Sequence, residues 1–215
     1  PDLVITPDES GGPRVDIYSG ADFSRFASFY GIDDPAFRGG ARAAVGDIDG
    51  DGRSDLVVAA GFGGGPRIAA YDGSRLGSNG GPKLFNDFFA FEQSLRNGVY
   101  LAVGDVNGDG FAELIAGGGP GGGPRVSVFD AKSLLDNAPD RVADFFAGDP
   151  NSRGGVRLGV KNLDGDARAD LITGAGTGAG SRVTAYAGTS LLGGEPVEWF
   201  EWEAFAGFGG GVFVG

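Results

Sequence analysis

The sequence predicts an all-β fold, and within that class a four-bladed β-propeller with four antiparallel strands per blade. An acidic, glycine-rich loop occurs three times, at intervals of 58 and 57 residues. Each copy precedes the same order of short apolar strands and glycine-rich turns, and the first 46 residues repeat this order without the front of the loop. A fixed period of this length indicates a repeat architecture in which each unit packs on its neighbours.

Each acidic loop places oxygen-bearing side chains at its first, third, fifth and ninth positions, with glycine at the fourth and usually the sixth. Alternate side chains on a tight turn converge, and glycine permits the turn at positive φ. Such residues also dominate ordinary turns, but three copies in register favour a site for a hard cation such as Ca²⁺. The side chains are Asp47, Asp49, Asp51 and Asp55; Asp105, Asn107, Asp109 and Glu113; and Asn162, Asp164, Asp166 and Asp170.

The strands that follow the first complete loop are expected at 56–60, 66–71, 84–91 and 99–103. We predict a single domain over 1–215, in which the C-terminal strand 211–215 joins the N-terminal blade and closes the ring, because closure shields sheet edges. A fragment of a larger ring is the alternative. The predicted boundaries are blade 1 at 1–30 plus 211–215, blade 2 at 41–91, blade 3 at 99–146 and blade 4 at 156–203.

Composition excludes several classes of function. The net charge of −12 makes nucleic-acid binding through a basic face improbable. The chain contains no cysteine and no histidine, so disulfides, thiolate or imidazole metal sites and a Ser-His-Asp triad cannot form. We expect no catalytic residues, because nearly every polar residue type recurs from blade to blade. No membrane span or signal peptide is expected within this stretch, and any such segment would lie outside it.

The motif Asp-x-Asp-Gly-Asp-Gly-x-x-Asp-Leu, followed by Gly-Gly-Gly-Pro-Arg, resembles the FG-GAP (VCBS-type) repeat. Such repeats form calcium-binding blades in integrin α-subunit propellers and in bacterial secreted and surface proteins. The resemblance implies about three calcium ions, each held by the four side chains of one loop and the carbonyl of its seventh residue. Those carbonyls belong to Arg53, Phe111 and Arg168.

Three departures from the repeat are expected to matter. Ala167 replaces the second glycine of the third loop, where positive φ would cost roughly 1 kcal/mol or more. Asn107 and Asn162 each remove a charge, so the first loop should bind most tightly. The first blade retains only Asp2 of its loop, so a fourth complete site is not expected.

Two recurring residue types have a structural and a functional interpretation. Arginines that begin each third strand favour exposed ion pairs over a ring that contacts an acidic partner. Aromatic clusters favour packing between blades over sugar stacking, with Trp199 and Trp202 as the best surface candidates. The arginines are Arg14, Arg67, Arg125 and Arg182.

These features predict a non-enzymatic, calcium-stabilised propeller at the cell surface or outside the cell, acting as a binding, adhesion or assembly module. Its partner would be a protein or glycan, with self-association possible in a structural array. The alternatives are a carbohydrate-binding lectin and the propeller of a polysaccharide-degrading enzyme. Contacts are expected from the variable rim loops at 19–27, 73–83, 131–141 and 188–196.

Overall fold

The computed structural model describes residues 2–192 and 196–215, and its described strands form four antiparallel sheets. Residues 193–195, which belong to the predicted rim loop 188–196, lie outside the described residues. Each sheet pairs its strands in chain order, as a meander does, and we name the sheets blades 1 to 4. The all-β prediction is confirmed.

Blade 1 has three strands and the other blades have four each. Blade 1 comprises Leu3–Ile5 (β1), Arg14–Tyr18 (β2) and Arg25–Tyr30 (β3). Blade 2 comprises Ala41–Gly46 (β4), Asp55–Ala60 (β5), Arg67–Tyr71 (β6) and Phe88–Phe89 (β7). Blade 3 comprises Val99–Gly104 (β8), Glu113–Gly118 (β9), Arg125–Phe129 (β10) and Arg141–Phe146 (β11). Blade 4 comprises Val156–Lys161 (β12), Asp170–Ala175 (β13), Arg182–Tyr186 (β14) and Glu198–Glu203 (β15).

Short helices occupy the loops between the third and fourth strands of blades 2 to 4. They are a 3₁₀ turn at Gly73–Arg75, α1 at Ala131–Leu135 and α2 at Gly188–Leu191. The side chain of Asp72 accepts a hydrogen bond from the first turn of the 3₁₀ helix, and that of Asp130 accepts one from the first turn of α1. These bonds satisfy backbone amides that would otherwise be unpaired. Three of the four predicted rim loops, at 73–83, 131–141 and 188–196, therefore begin with a short helical turn.

The hydrophobic core lies between successive blades. One apolar cluster joins blades 1 and 2, a second joins blades 2 and 3, and a third joins blades 3 and 4. Strand β5 is buried on both faces, which explains its unbroken apolar sequence from Leu56 to Ala60. Burying a large aliphatic side chain contributes about 1.5–3 kcal/mol, so these clusters supply most of the attraction between blades.

An aromatic pair recurs at each of these three interfaces. An aromatic residue of the outer strand meets one at the end of the next blade's third strand, edge to face, with ring centroids 5.0–5.1 Å apart. The pairs are Phe29–Tyr71, Phe88–Phe129 and Phe145–Tyr186. The prediction that aromatic clusters pack between blades is confirmed for these residues. Trp199 and Trp202 in β15 differ, since each is 45% exposed.

The predicted ring-closing strand at 211–215 is not formed among the described residues. The Val212 amide donates to the Ala175 carbonyl of blade 4 (3.0 Å), just as the Ala41 amide donates to the Pro7 carbonyl of blade 1 (2.9 Å). The tail therefore starts where a new inner strand would start, but it hydrogen-bonds with blade 4, and β1 pairs only with β2. Leu3 on β1 is accordingly 46% exposed, whereas the equivalent Leu56 is 1% exposed.

In the described part of the chain, no helix has the length and apolar character needed to cross a membrane.

Candidate metal centres

The first acidic loop joins β4 to β5 and is folded by its own carboxylates. Asp47 accepts hydrogen bonds from the amides of Asp51 (3.1 Å) and Gly52 (2.8 Å), and Asp49 accepts one from Asp51 (3.1 Å). Gly50 and Gly52 take φ values of 74° and 85°, which L side chains rarely adopt. The sequence thus folds a turn in which alternate carboxylates face inwards.

Carboxylate oxygens of this loop converge as the spacing predicts. Oxygens of Asp47, Asp49 and Asp55 lie within 4.8 Å of one another, and so do oxygens of Asp49, Asp51 and Asp72. Burial raises the pKa of Asp49, and the charges of Asp51, Asp72 and Asp47 raise it further. A divalent cation would relieve this repulsion, and an all-oxygen donor set suits Ca²⁺. The donor set of the first loop therefore fits a calcium ion.

Asp72 was not among the predicted site residues. It follows β6, seventeen positions after Asp55, and Asp130 stands seventeen positions after Glu113 in the second repeat. The recurrence of an aspartate at this spacing is the signal that could have identified it. The repeat that contains the third acidic loop has Ala187 at the same place and lacks the additional carboxylate.

The ninth side chain of each loop serves as a hydrogen-bond acceptor inside the fold. Asp55, Glu113 and Asp170 are each 1% exposed. Asp55 accepts from the amides of Ile48 and Gly73 (both 2.9 Å), and Asp170 accepts from those of Leu163 (2.7 Å) and Gly188 (2.9 Å). Asp55 and Asp170 therefore tie their loops to the start of the rim helix in the same blade. Burial raises the pKa of Asp55.

The second loop repeats this fold with a lysine at its edge. Asp105 accepts from the amides of Asp109 (3.2 Å) and Gly110 (2.9 Å). The buried Glu113 accepts from the Val106 amide and the Asn107 side-chain amide, both at 3.0 Å. Burial raises the pKa of Glu113 to about 7, and the charges of Asp109, Asp105 and Asp130 add to the shift.

Lys132 of α1 donates to Asp109 (2.7 Å), and its ammonium lies 4.5 Å from the centre of the Phe111 ring. Burial tends to raise the pKa of Asp109. The hydrogen bond and charge of Lys132, together with the other hydrogen bonds that Asp109 accepts, outweigh burial and lower the pKa of Asp109. The lysine was missed by sequence reasoning because it lies in a linker of variable sequence. A cation in the second loop would compete with it for Asp109.

The third loop is the most exposed and the least regular. Gly165 donates to Asn162 (2.7 Å), Asp166 to Asp164 (2.9 Å) and Arg168 to Asp166 (2.7 Å) through their amides. In the first two loops, the amide of the sixth residue donates a hydrogen bond to the side chain of the first residue. This hydrogen bond is absent from the third loop, all of whose residues the structure describes. Asn162 uses its amide nitrogen instead to reach the Asp166 carbonyl.

The prediction of strain at Ala167 is wrong. The described non-glycine residues at positive φ are Ser10, Phe23 and Asn137, so Ala167 avoids the conformation that glycine takes in the other loops. The loop has relaxed because an alanine side chain is disfavoured at positive φ. The three-carboxylate clusters found in the described residues both belong to the first loop, so neither the second nor the third loop forms one.

The acidic loops are linked from blade to blade. The Ala112 amide donates to the Asp47 carbonyl (2.7 Å), and the Ala169 amide donates to the Asp105 carbonyl (2.8 Å). Arg168 also donates through Nε to the Asn107 carbonyl (3.0 Å). Each loop therefore hydrogen-bonds with the next one along the chain. We expect a change in the conformation of one loop to alter the conformation of its neighbour.

The arginines that begin each third strand form ion pairs within their own blades. Arg14 pairs with Asp16 (3.1 Å), Arg125 with Asp144 (2.7 Å) and Arg182 with Glu201 (3.4 Å). Arg67 pairs with Asp87. The structure bears out ion pairing of these arginines, but Asp16, Asp144 and Glu201 lie on strands and not in loops, and Arg14 alone among the four arginines is exposed.

Comparison with protein families matches residues 47–116 to the FG-GAP-like repeat. The matched stretch begins at the first acidic loop and ends within β9, so it includes the second loop. Comparison with the curated proteins gives no match.

Several solved structures share the fold. The rhamnogalacturonan lyase YesW is 18% identical with a TM-score of 0.52, and the alignment covers 92% of this chain and 44% of that one. The Bacillus licheniformis rhamnogalacturonan lyase PL11 is 16% identical with a TM-score of 0.51, over 90% of this chain and 43% of that one. The exotype rhamnogalacturonan lyase YesX is 16% identical with a TM-score of 0.51, over 94% and 36%.

The chain spans less than half the length of these solved proteins. Four sheets, joined in succession by apolar clusters and with an acidic loop before the second strand of blades 2 to 4, form a β-propeller-like arrangement. The match over 47–116 confirms the resemblance to FG-GAP-type repeats.

Proposed function

We propose that this chain is a calcium-stabilised propeller that binds a partner outside the cell or at its surface. The observation that carries the proposal is a pair of three-carboxylate groups at the first loop, which share Asp49: Asp47 with Asp49 and Asp55, and Asp49 with Asp51 and Asp72. Calcium in the three loops would join the first two strands of each blade, and the hydrogen bonds between loops would transmit that stabilisation to the neighbouring blade. Anything that binds the folded state alone stabilises it by mass action.

The chemistry of the loops supports the proposed extracellular location. Weak, partly exposed calcium sites of extracellular modules have dissociation constants of roughly 10⁻⁴–10⁻³ M, which suit extracellular calcium. The second and third loops, in which one carboxylate is replaced by an amide, belong to this weaker range. The first loop, with its additional carboxylate from Asp72, should bind most tightly.

We further propose that the ring closes within one chain. In blade 2, Arg42 of the inner strand lies opposite Ala59. In a closed ring the equivalent pair would be Phe213 of the tail and Thr6 after β1, and we call this junction between the tail and blade 1 the seam. Both residues line one cavity of about 280 Å³. Trp202 and Tyr18 occupy the positions at which the other three interfaces form their aromatic pair. Closure would cover the apolar side chains that the open seam exposes.

A disulfide tests closure, because the chain contains no cysteine of its own. In the double variant Thr6→Cys/Phe213→Cys, closure brings the two Cα atoms within the roughly 7 Å that a disulfide allows. Mild oxidation should then give a crosslinked monomer, detected by light scattering and by mass. The single variant Thr6→Cys is the control for chance pairing. A crosslinked dimer would assign the seam to a second copy, and no crosslink would contradict closure.

The groove between blades 1 and 2 is the best candidate for the partner's site. It encloses about 520 Å³ and combines charged, amide and aromatic side chains, a mixture suited to a hydroxyl-rich or polar ligand. Its lining includes Arg14, Tyr30, Asp33, Asn79 and Lys83. This combination favours a glycan, with a polar protein surface as the second candidate.

Glycan-array binding of the calcium-loaded protein tests this function. Binding should fall at least about tenfold in Tyr30→Ala, since truncating a half-exposed aromatic contact costs about 1.4 kcal/mol or more. Tyr18→Ala, on the neighbouring strand, is the control variant. Depolymerisation of acidic polysaccharides, followed by viscosity, would contradict a binding role and favour the enzymatic alternative suggested by the names of the similar structures.

A further inference from the structure

Asp109 of the second acidic loop already has a cation beside it. Lys132, the second residue of α1, donates to Asp109 from Nζ at 2.7 Å. Of the predicted ligand side chains of the three loops, all of which the structure describes, Asp109 alone forms an ion pair. In blade 2, Arg75 pairs with Asp72 after β6 and with none of the first loop's own side chains. The second loop is therefore the one whose own carboxylate has an internal counterion.

The lysine belongs to one repeat. The residues at the same place in blades 2 and 4 are Ser74 and Thr189, which carry no charge. Each of those blades nevertheless forms its rim helix, at Gly73–Arg75 and Gly188–Leu191. The rim helix does not require a lysine, so what Lys132 adds to the second repeat is its charge.

Several carboxylates act on the ammonium group. The hydrogen bond to Asp109 raises the pKa of Lys132, and partial burial opposes this effect. The charges of Asp109, Asp130 and Glu113 add to the rise. Asp109 and Asp130 correspond in register to two members of the second three-carboxylate group of the first loop. The ammonium thus neutralises the counterparts of carboxylates that are proposed to bind calcium in the preceding repeat.

Packing as well as charge holds the lysine in this place. Its ammonium lies 4.5 Å from the centre of the Phe111 ring, and such contacts are attractive. The ring also lies against the first loop, since a Cβ at Gly50 would be 3.0 Å from it. Leu134 anchors α1 in the apolar cluster between blades 2 and 3. An exposed ion pair alone is weak, but here a fixed helix and a ring keep the ammonium beside the loop.

A calcium ion in the second loop would compete with the ammonium for one oxygen. Asp109 accepts from the Phe111 amide through Oδ1 (3.0 Å) and from Lys132 through Oδ2. Calcium binds carboxylates by direct contact with their oxygens, and Oδ2 is the oxygen that the amides of the loop leave free. A divalent ion beside an ammonium also meets repulsion between like charges, which water and salt screen incompletely at short range.

We infer that Lys132 is an internal cation for the second loop: it supports the loop without calcium, and calcium enters when the ammonium leaves Asp109. This inference rests on the proposed calcium function. The second loop then fills after the first loop and at a higher calcium concentration. Its filling releases Lys132 at the beginning of the rim loop 131–141, so the calcium concentration alters a surface that is expected to contact the partner.

Calorimetric titration of calcium into chelator-stripped Lys132→Met tests the inference. Methionine keeps an apolar stem against the Phe111 ring and removes the charge. Calcium should bind the second loop at least about tenfold more tightly than in the original protein, because a repulsive charge beside a divalent ion has an effect of this order. Adding Asp105→Asn should weaken the tightened event, which assigns it to the second loop. Lys132→Arg keeps the charge and should bind calcium like the original protein.

Arg153→Met is the matched control. Arg153 lies in the turn before β12, whereas the acidic loops follow the inner strands, and it forms no ion pair with described residues. Its loss changes the net charge equally and should leave the second loop unchanged. Lys132→Gln replaces the methionine variant should that variant fail to fold. Equal calcium affinity of the second loop in the Lys132 and Arg153 variants would overturn the inference alone, whereas no calcium binding in any variant would overturn the proposed function as well.

Two further readouts test the support of the loop and the release of the lysine. In chelator, Lys132→Met should melt at a lower temperature than Arg153→Met, because its second loop has lost the counterion. In the original protein, the amide resonances of Ala131–Leu135 should shift over the calcium range that fills the second loop. Equal melting temperatures in chelator, or unshifted resonances while the second loop fills, would contradict the role of Lys132.

Discussion

Asp55, Glu113 and Asp170 are nearly inaccessible carboxylates that hold their loops in place through backbone amides. The equivalent Asp2 of blade 1 likewise accepts from the Gly20 amide (3.0 Å). The ninth residue of the repeat thus contributes to the fold through backbone hydrogen bonds.

Asp72 gives the first prediction, because it supplements the predicted ligands of the first loop. Asp72→Asn keeps an oxygen that can cap the following turn, since Asn and Asp are similar caps, but it removes one negative charge. We expect calcium affinity of the first loop to fall by about tenfold, consistent with about 1–2 kcal/mol for one charge acting on a divalent ion near the surface. Calcium calorimetry measures this change.

Asp130→Asn is the matched control for Asp72, since Asp130 has the same position in the next repeat. It should weaken the second loop and leave the tightest binding event unchanged. An unaltered tightest event in Asp72→Asn would exclude Asp72 from the site.

Asp144 gives a prediction about pH. The hydrogen bond from Arg125 lowers the pKa of Asp144, the bond from Ser127 assists, and partial burial opposes both. The ionised form is therefore favoured in the folded state. Its stabilisation is present above the ordinary pKa of 3.8 and is lost as the pH falls through the lower folded pKa. Because Asp144 is a third exposed, the contribution should be at most about 1 kcal/mol.

Urea unfolding from pH 2.5 to 7 compares the original protein with Asp144→Asn. The difference in unfolding free energy should be largest at neutral pH and should shrink in acid. Asp140→Asn, an exposed neighbour without an ion pair among the described residues, should give a small difference that varies less with pH. A difference for Asp144→Asn that grows in acid would contradict the direction of the pKa shift.

The acidic loop is the element that sequence analysis predicts best. Its side chains must follow a fixed spacing because the turn and the convergence of oxygens both depend on it, so the spacing predicts the carboxylates that lie together in the first loop. Their role as calcium ligands stays a prediction. Asp72 and Lys132 reach the loops from linkers whose lengths and sequences differ between repeats. Their proximity depends on tertiary packing, and a pattern within one loop could not show it. Ala167 shows how a departure from the pattern alters the structure. Gly52 and Gly110 take positive φ at this position, whereas the backbone at Ala167 does not.

Gly52 allows a clean test of loop geometry. Its φ is +85°, and a Cβ added there would meet no atom within 4 Å, so substitution changes only backbone strain. Gly52→Ala should destabilise the protein by about 1–2 kcal/mol and weaken calcium binding at the first loop. Chemical unfolding and calcium calorimetry measure the two effects.

Gly209→Ala is the control for Gly52, because an added Cβ would again meet nothing within 4 Å and its φ lies outside the left-handed range. It should be neutral or slightly stabilising, because it reduces the entropy of the unfolded chain. Equal stability of the Gly52 and Gly209 variants would mean that the positive φ is not required.

The whole molecule is a series of blades joined by apolar faces, and the repeat period alone predicts that arrangement. The seam between blade 4 and blade 1 could not be predicted in the same way. In the tail, the Val212 amide donates to the Ala175 carbonyl of blade 4, and no described strand pairs the tail with β1. Leu3, Ile5 and Trp202 are exposed on this side of the molecule, and the proposed closure would cover them.

Calcium should act on the whole molecule because the loops contact one another. The bonds from Ala112 to Asp47 and from Ala169 to Asp105 join successive blades at the face where the ions would bind. Filling one loop would therefore order the edge of the next. Binding confined to an isolated turn would have no such effect on unfolding.

Calorimetric titration of calcium into chelator-stripped protein, with thermal melts before and after, tests the central claim most directly. We predict about three ions per chain, the tightest abolished by Asp51→Asn, and a clear rise in melting temperature of the kind that binding to the folded state alone produces. Magnesium at the same concentration should give a smaller rise, since it tolerates this flexible geometry poorly. No calcium binding, or binding without a change in melting temperature, would contradict the account.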